Sequence, residues 1–141
     1  MIIIDEQPVE SWRPGNRTRL WAAKSTGSTR LCVGEQWFEP GAGAPTHSHP
    51  KDVEEVISVL SGSMDFWIDG ERATLRPGQT VVIPGLTHHG FAAVGDEELH
   101  IAGAFSSAAP PTIFDETPQD VVEIGGVEGT RLDSTRTLRA G

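Results

Sequence analysis

The main constraint on the fold is that short β-rich runs alternate with glycine- and proline-containing turns. Between residues 17 and 105 the sequence shows no sustained apolar repeat of the kind that an amphipathic helix requires. Valine, isoleucine, phenylalanine and tryptophan concentrate instead in short runs, which is typical of strands. We therefore predict strands over residues 18–24, 30–38, 53–60, 63–68, 80–84, 89–94 and 98–105. Such a series predicts an all-β sandwich or barrel.

Two of the turns between these strands have specific backbone requirements. Asp69 and Gly70 can both adopt a positive φ, which suits a two-residue hairpin. Pro77 and Gly78 suit a turn in which the first residue has a fixed negative φ and the second a positive one. Both turns favour antiparallel neighbours over an α/β domain, which would need helices to connect parallel strands.

The length of 141 residues fits one domain with additional terminal segments. We assign residues 17–105 to the barrel, 1–16 to an N-terminal segment and 106–141 to a C-terminal tail. Residues 2–4 are apolar and are separated from the barrel by prolines, so a lone barrel would leave them uncovered. We therefore expect a homodimer in which terminal segments pack on the partner subunit.

The C-terminal tail is expected to form either a short helix or an extended segment. The helix would use Thr117 as its N-cap, Pro118 in its first turn and Gly125 as its end. The apolar residues between them favour packing on the barrel or on a neighbouring subunit. Residues 128–141 carry mixed charge and few large apolar side chains, so we expect poor order there.

The charge balance excludes several classes of partner. The chain has 20 acidic and 11 basic residues and a formal net charge of -9, which argues against binding to nucleic acid. Only two lysines occur, and no apolar stretch is long enough for a membrane helix, so we expect no membrane partner. The single cysteine excludes an intrachain disulfide. We expect a cytoplasmic protein.

The histidines indicate where the chemistry lies. All five of them occupy the middle of the chain, at His47, His49, His88, His89 and His100. On an extended segment, residues two apart point to the same face, so His47 and His49 present two imidazoles side by side, as two metal ligands would. Such a pair is by itself common on protein surfaces, and further ligands are needed.

A carboxylate follows at Glu54 or Glu55. Strand alternation favours Glu55, because it shares a face with Ile57 and Val59, but both glutamates remain candidates.

The same alternation allows only one of His88 and His89 to join the cluster. We choose His89, because Phe91 lies two residues further on the same face. His88 is then at the rim or outside, where it could carry protons, and His100 is expected to face outward.

These residues carry a resemblance to the cupin superfamily. The run from Gly41 through His47, His49 and Glu55 to Gly62 resembles the first cupin motif, and the run from Gly78 through Pro84 to His89 resembles the second. The interval from His49 to Glu55 is longer than usual, and Glu54 would restore it at the cost of the spacing to Gly62. Leu86 and Ala93 stand where cupins usually have glycine and asparagine.

The resemblance implies a small antiparallel jelly-roll barrel that binds one metal ion inside. The implied ligands are His47, His49, Glu55 and His89. Three imidazoles and one carboxylate suit a divalent transition metal; we favour Fe(II), with Mn, Ni, Cu or Zn as alternatives. Candidates for the apolar wall around the site are Phe66 or Trp67, Ile57, Val59, Val82, Phe91 and Ile101.

By analogy with single-domain cupins, the expected activity is that of an oxygenase of the dioxygenase type, acting on a small oxygen-bearing organic molecule. Candidates for proton transfer are Glu55, His88 and Glu54. The alternatives are a metal-dependent isomerase or lyase, and a non-catalytic cupin that binds or senses a small ligand.

Overall fold

The computed structural model describes residues 1–126 and 137–139 of the chain. Apart from a single 3-10 turn at Lys24–Thr26, the regular structure of these residues is all strand. The strands are β1 Glu10–Arg13, β2 Asn16–Ala22, β3 Cys32–Phe38, β4 Gly43–Ser48, β5 Glu55–Ser61, β6 Ser63–Ile68, β7 Glu71–Leu75, β8 Thr80–Ile83, β9 His89–Val94, β10 Leu99–Phe105, β11 Pro111–Phe114, β12 Asp120–Glu123 and β13 Thr137–Arg139. No helix among the described residues is long and apolar enough to cross a membrane.

The strands form two antiparallel sheets. One sheet has the order β1-β2-β3-β10-β5-β8, and the other has the order β13-β12-β11-β4-β9-β6-β7. The main apolar core lies on their inner faces and draws buried side chains from both sheets, including Phe38, Ile57, Met64, Phe91 and Ile101. The prediction of an antiparallel jelly-roll barrel is confirmed.

The predicted turns adopt the expected backbone. Asp69 and Gly70 have φ values of +45° and +87° and connect β6 to β7, as a two-residue hairpin requires. Gly78 has a φ of +90°, and the turn closes through a hydrogen bond from Gln79 N to Arg76 O of 3.0 Å. The short, charged strand β7 that follows the hairpin was not predicted, because its exposed residues carry no apolar alternation.

The helix expected between Thr117 and Gly125 is wrong, and the extended alternative is correct. Residues Asp120–Glu123 form β12, which pairs with β11 on one side and β13 on the other. Val121 and Val122 are β-branched and favour a strand, and pairing satisfies the backbone groups that a helix would have satisfied internally. Poor order was expected over residues 128–141. Of these, Thr137–Arg139 form β13, and residues 128–136 and 140–141 lie outside the described residues.

Outside the predicted barrel limits, both terminal segments add strands to the sheets. Strand β1 pairs with β2, and β11 pairs with β4 next to His47 and Ser48. These strands are four residues long and contain prolines at or next to their ends, so they lack the periodicity that reveals longer strands. Their side chains reach the candidate site described below.

On the outer face of the six-stranded sheet, Glu35 binds three neighbours. Its carboxylate accepts hydrogen bonds from Trp21 Nε1 at 2.8 Å and Arg19 Nε at 3.2 Å, and it lies 2.9 Å from His100 Nε2. Partial burial raises the pKa of Glu35, but these partners outweigh it and hold the pKa below its usual value of 4.5. His100 therefore has an outward structural role, as predicted.

The Glu35 cluster predicts an acid-dependent loss of stability. A carboxyl with a lowered pKa in the folded state stabilises the fold above pH 4.5 and loses that contribution as the pH falls through its folded pKa. Glu35→Gln should therefore lower the free energy of unfolding by about 1 kcal/mol at neutral pH, and the difference from wild type should shrink on acidification. Urea unfolding across this range measures both values. Glu71→Gln, at an exposed position on β7, is the control, and an equal loss in both variants would contradict the assignment.

Candidate metal centre

Four buried side chains from three strands converge between the two sheets. The potential ligand atoms of His47, His49, Glu55 and His89 all lie within 4.8 Å of one another. Their residues are between 1% and 6% exposed, although each is polar or charged. Strand β4 and the residue after it supply His47 and His49, β5 supplies Glu55, and β9 supplies His89. The structure thus brings together all four residues that the sequence proposed as a metal cluster.

A β-bulge in β4 turns His47 and His49 inward. Ala44 pairs with Phe91 and His47 pairs with His89, so three steps along β4 match two steps along β9. If β4 had no bulge, Thr46 would lie opposite His89, and His47 and His49 would face outward. Ala44, His47 and His49 are instead all buried on the inner face.

Strand β5 decides between the two glutamates. Glu55 begins the strand and shares its inner face with Ile57 and Val59, and these three residues are 6%, 2% and 1% exposed. Glu54 is exposed at the start of the strand, where its backbone N–H donates to Ser106 Oγ. Only Glu55 lies in the cluster.

Hydrogen bonds to the far side of each ring fix the orientation of the three imidazoles. The Nδ1 atoms of His47, His49 and His89 lie 2.7, 3.1 and 3.1 Å from the carbonyl oxygens of Pro45, Pro111 and Thr87. A carbonyl oxygen can only accept, so each Nδ1 carries a hydrogen. Each Nε2 is then the atom available as a ligand, an arrangement typical of metal-binding histidines.

On the inner side of the cluster, ligand atoms lie close to one another. His89 Nε2 and His49 Nε2 lie 3.2 and 3.3 Å from Glu55 Oε1. The Nε2 atom of His49 is buried and has no hydrogen-bond partner among the described residues. The lone pairs of these Nε2 atoms and of the Glu55 carboxylate repel one another at such distances unless a proton or a metal ion lies between them.

The protonation states also suit a metal ion. Burial, together with the neighbouring His89 and His49, lowers the pKa of His47 to about 3, so this ring is neutral and free to bind a cation. Burial raises the pKa of Glu55, but hydrogen bonding and positive charge on the imidazole side of the cluster outweigh it and lower the pKa to about 2. With neutral rings, a bound cation would supply that positive charge. Metal ligands need deprotonated forms of both side chains, so the residues present fit a divalent ion.

The remaining histidine near the site, His88, lies outside the cluster. Its side chain is 58% exposed, and its Nδ1 lies 2.9 Å from Asp115 Oδ1, just after β11. The structure thus places His88 at the rim, next in sequence to the buried His89.

A small apolar cavity adjoins the cluster. Its volume is about 40 Å³, and His47 and Glu55 form part of its wall. The remaining lining comes from Trp12, Gln36, Ala44, Phe91, Phe105, Thr112, Phe114, Val122 and Ile124.

The sequence predicted part of this wall. Phe91 lines the cavity as expected. Val82 does not, because its side chain is 57% exposed on the outside of the barrel, so that expectation was wrong. Trp12, Phe114 and Val122 were missed because they lie on short terminal strands, and Ile124 directly follows one of these strands.

A family model supports these observations. The model described as Cupin domain matches residues 34–105, which include all four cluster residues. This chain belongs to the cupin family. Among curated proteins, "Polyketide synthase CurC" of Streptomyces cyaneus is 32% identical to this cupin over 110 residues, covering 77% of this chain and 71% of that protein. "Protein SchB" of Streptomyces halstedii is 28% identical over 110 residues, covering 78% and 79%.

Solved cupin structures share the fold. KdgF from Halomonas sp. aligns with a TM-score of 0.60 and 25% identity, covering 74% of this chain and 93% of KdgF. An oxalate oxidase aligns with a TM-score of 0.62 and 25% identity, covering 72% of this chain and 55% of the oxidase.

The departure from the cupin motif at Leu86 has a structural consequence. Leu86 has a φ of +65°, in the left-handed region that favours the glycine usual in cupins. Its backbone N–H donates to His49 O at 2.9 Å, so the strained turn remains anchored beside the cluster.

The adjacent glutamates provide a matched test of the cluster. Glu55→Gln removes the buried charge and should weaken the binding of Zn(II) by at least about tenfold. Glu54→Gln makes the same chemical change at an exposed position and should leave the affinity unchanged. Titration of the metal-free protein against a chelator of known affinity measures both. Equal affinities of the two variants would exclude Glu55 as a ligand.

Proposed function

We propose that this cupin is a metal-dependent enzyme that acts on a small oxygen-bearing organic molecule, as an oxygenase of the dioxygenase type. The observation that carries the proposal is the convergence of three imidazole Nε2 atoms and one carboxylate beside an apolar cavity, whose wall includes His47 and Glu55. Such a donor set suits Fe(II), the ion we favour, or Mn, Ni, Cu or Zn. When bound, Fe(II) supplies Lewis-acid and redox chemistry toward dioxygen and substrate.

The chain's own residues would confine the reaction. Phe91, Phe105 and Phe114 line the cavity and make this part of its wall apolar. Gln36 Oε1 and Trp12 Nε1 are buried and have no hydrogen-bond partner among the described residues. Both residues line the cavity, where a hydroxyl or carbonyl group of a ligand would satisfy them.

The closed cavity is smaller than most organic molecules. Its volume of about 40 Å³ has room for one or two water molecules. Part of the lining, Phe114, Val122 and Ile124, belongs to or follows β11 and β12, and these side chains are only half-buried. We propose that a substrate enters by displacing them.

The curated relative supports a class of substrate. A protein named as a polyketide synthase is 32% identical to this chain over 110 residues. Polyketides carry oxygen on alternate carbons, which matches an oxygen-bearing molecule in a mostly apolar cavity. We therefore propose a polyketide-like β-diketone or phenolic substrate.

Two groups are proposed to handle protons. Glu55 borders the cavity and could accept a proton there if its carboxylate left the cluster. His88 is the exposed imidazole at the rim, where Asp115 holds its Nδ1 and leaves Nε2 open to solvent exchange. Glu54 is not among the residues that line the cavity, so we rank it last.

A homodimer and a cytoplasmic location are further proposals. Ile2 and Ile3 are 66% and 80% exposed, and Trp21, Leu60 and Val82 are also exposed in the six-stranded sheet. A second subunit that covered these residues would bury apolar surface. A light-scattering mass of one chain would contradict the dimer.

Oxygen uptake tests the proposed activity. The protein loaded anaerobically with Fe(II) should consume dioxygen when acetylacetone or benzoylacetone is added, in proportion to the diketone lost. The Zn(II) form and Glu55→Gln loaded with Fe(II) are the controls and should take up none. Loss of the diketone without oxygen uptake would overturn the oxygenase in favour of a lyase or isomerase. A protein that holds iron and leaves both diketones unchanged would contradict a β-diketone substrate and leave only the phenolic one, which the same assay tests with a simple phenol.

A further inference from the structure

The β4 bulge has a side-chain contact on the outer face of the barrel. Thr46 lies within the bulge, and its hydroxyl accepts a hydrogen bond from Trp67 Nε1 at 2.9 Å. The Thr46 carbonyl accepts a second bond from Asp115 N at 3.0 Å. The residue that would face His89 without the bulge is thus held on the opposite side of the sheet.

Trp67 reaches Thr46 by crossing an intervening strand. It lies on β6 opposite Gly90 of β9, and β9 separates β6 from β4. A Cβ atom at Gly90 would lie 2.7 Å from Trp67 Cζ2 and 2.8 Å from Ala44 O, so only glycine leaves space for the indole. The guanidinium of Arg72 lies 5.2 Å from the indole centroid.

We propose that Trp67 is a positioning residue for the metal centre, acting through Thr46 and the bulge. The Trp67–Thr46 bond fixes which residue of β4 turns outward, and the next residue, His47, must then turn inward opposite His89. The inference rests on the proposed metal site and not on the reaction performed there. It adds Trp67, on the outer face of the sheet, to the residues that hold the metal ligands in position.

Under this proposal, the Trp67–Thr46 hydrogen bond also fixes the orientation of the His47 ring. His47 Nδ1 donates to Pro45 O, which belongs to the bulge, at 2.7 Å. A shift of Pro45 and Thr46 would therefore rotate the imidazole as well as move its backbone. Loss of the Trp67–Thr46 bond should alter the geometry of a bound ion before it unfolds the barrel.

Trp67→Phe tests this inference with Co(II) as the probe. The variant keeps an aromatic side chain on the outer face but removes the indole N–H group together with part of the ring that covers Gly90, so Thr46→Val is needed to separate the two losses. We expect the dissociation constant for Co(II) to rise about tenfold, with a change in the visible absorption bands of the bound ion. Thr46→Val removes the acceptor of the same bond and should give the same two changes. The double variant should be no worse than either single variant, because all three lack one interaction.

Trp21→Phe is the matched control. It removes an indole N–H bond of similar length, 2.8 Å to Glu35, from the other sheet. It should leave the affinity and spectrum of Co(II) unchanged, and urea unfolding shows whether each variant keeps its fold.

Three outcomes would overturn the inference. A Trp67→Phe variant with the wild-type affinity and spectrum would exclude a positioning role. Additive losses in the double variant would show that the two side chains act separately. Wild-type protein that bound no Co(II) would remove the metal site itself, whereas failure of oxygen uptake alone would leave the inference intact.

Discussion

The structure depends on the meeting of three imidazoles and one carboxylate in a mostly apolar interior. His47 and His89 lie on the seven-stranded sheet, Glu55 lies on the six-stranded sheet, and their ligand atoms are within 4.8 Å of one another. Burying polar groups without a partner is costly, and here the free Nε2 atoms and the carboxylate face one another. A cation between them would join the two sheets at the inner end of the cavity. The carbonyl partners of the Nδ1 atoms and the bulge in β4 prepare the site for that ion.

The sequence predicted the cluster because strand alternation is a local rule. Glu55 and His89 could be assigned inward from Ile57 and Phe91, which are two residues away on uninterrupted strands. His47 and His49 were paired correctly, but the sequence did not reveal the bulge that turns them inward. A bulge depends on pairing with β9 and on the Trp67–Thr46 bond, which are both long-range contacts.

The part of the cavity wall that β11 and β12 supply could not be predicted for a related reason. Phe114 and Val122 lie on strands of four residues, which are too short for a periodic pattern, and a proline begins the first strand. Their strand conformation comes from pairing with β4 and with each other. Local capping residues therefore indicated a helix where tertiary pairing produced a strand. The barrel itself is encoded locally, whereas part of the cavity wall comes from the short strands outside it.

Anomalous diffraction from crystals grown with Fe(II) or Co(II) would locate a bound ion and its ligands. We predict one strong peak bounded by the Nε2 atoms of His47, His49 and His89 and by a carboxylate oxygen of Glu55, with each Nδ1 still on its carbonyl partner. A well-ordered barrel that shows no peak there, or an ion held by other residues, would contradict it.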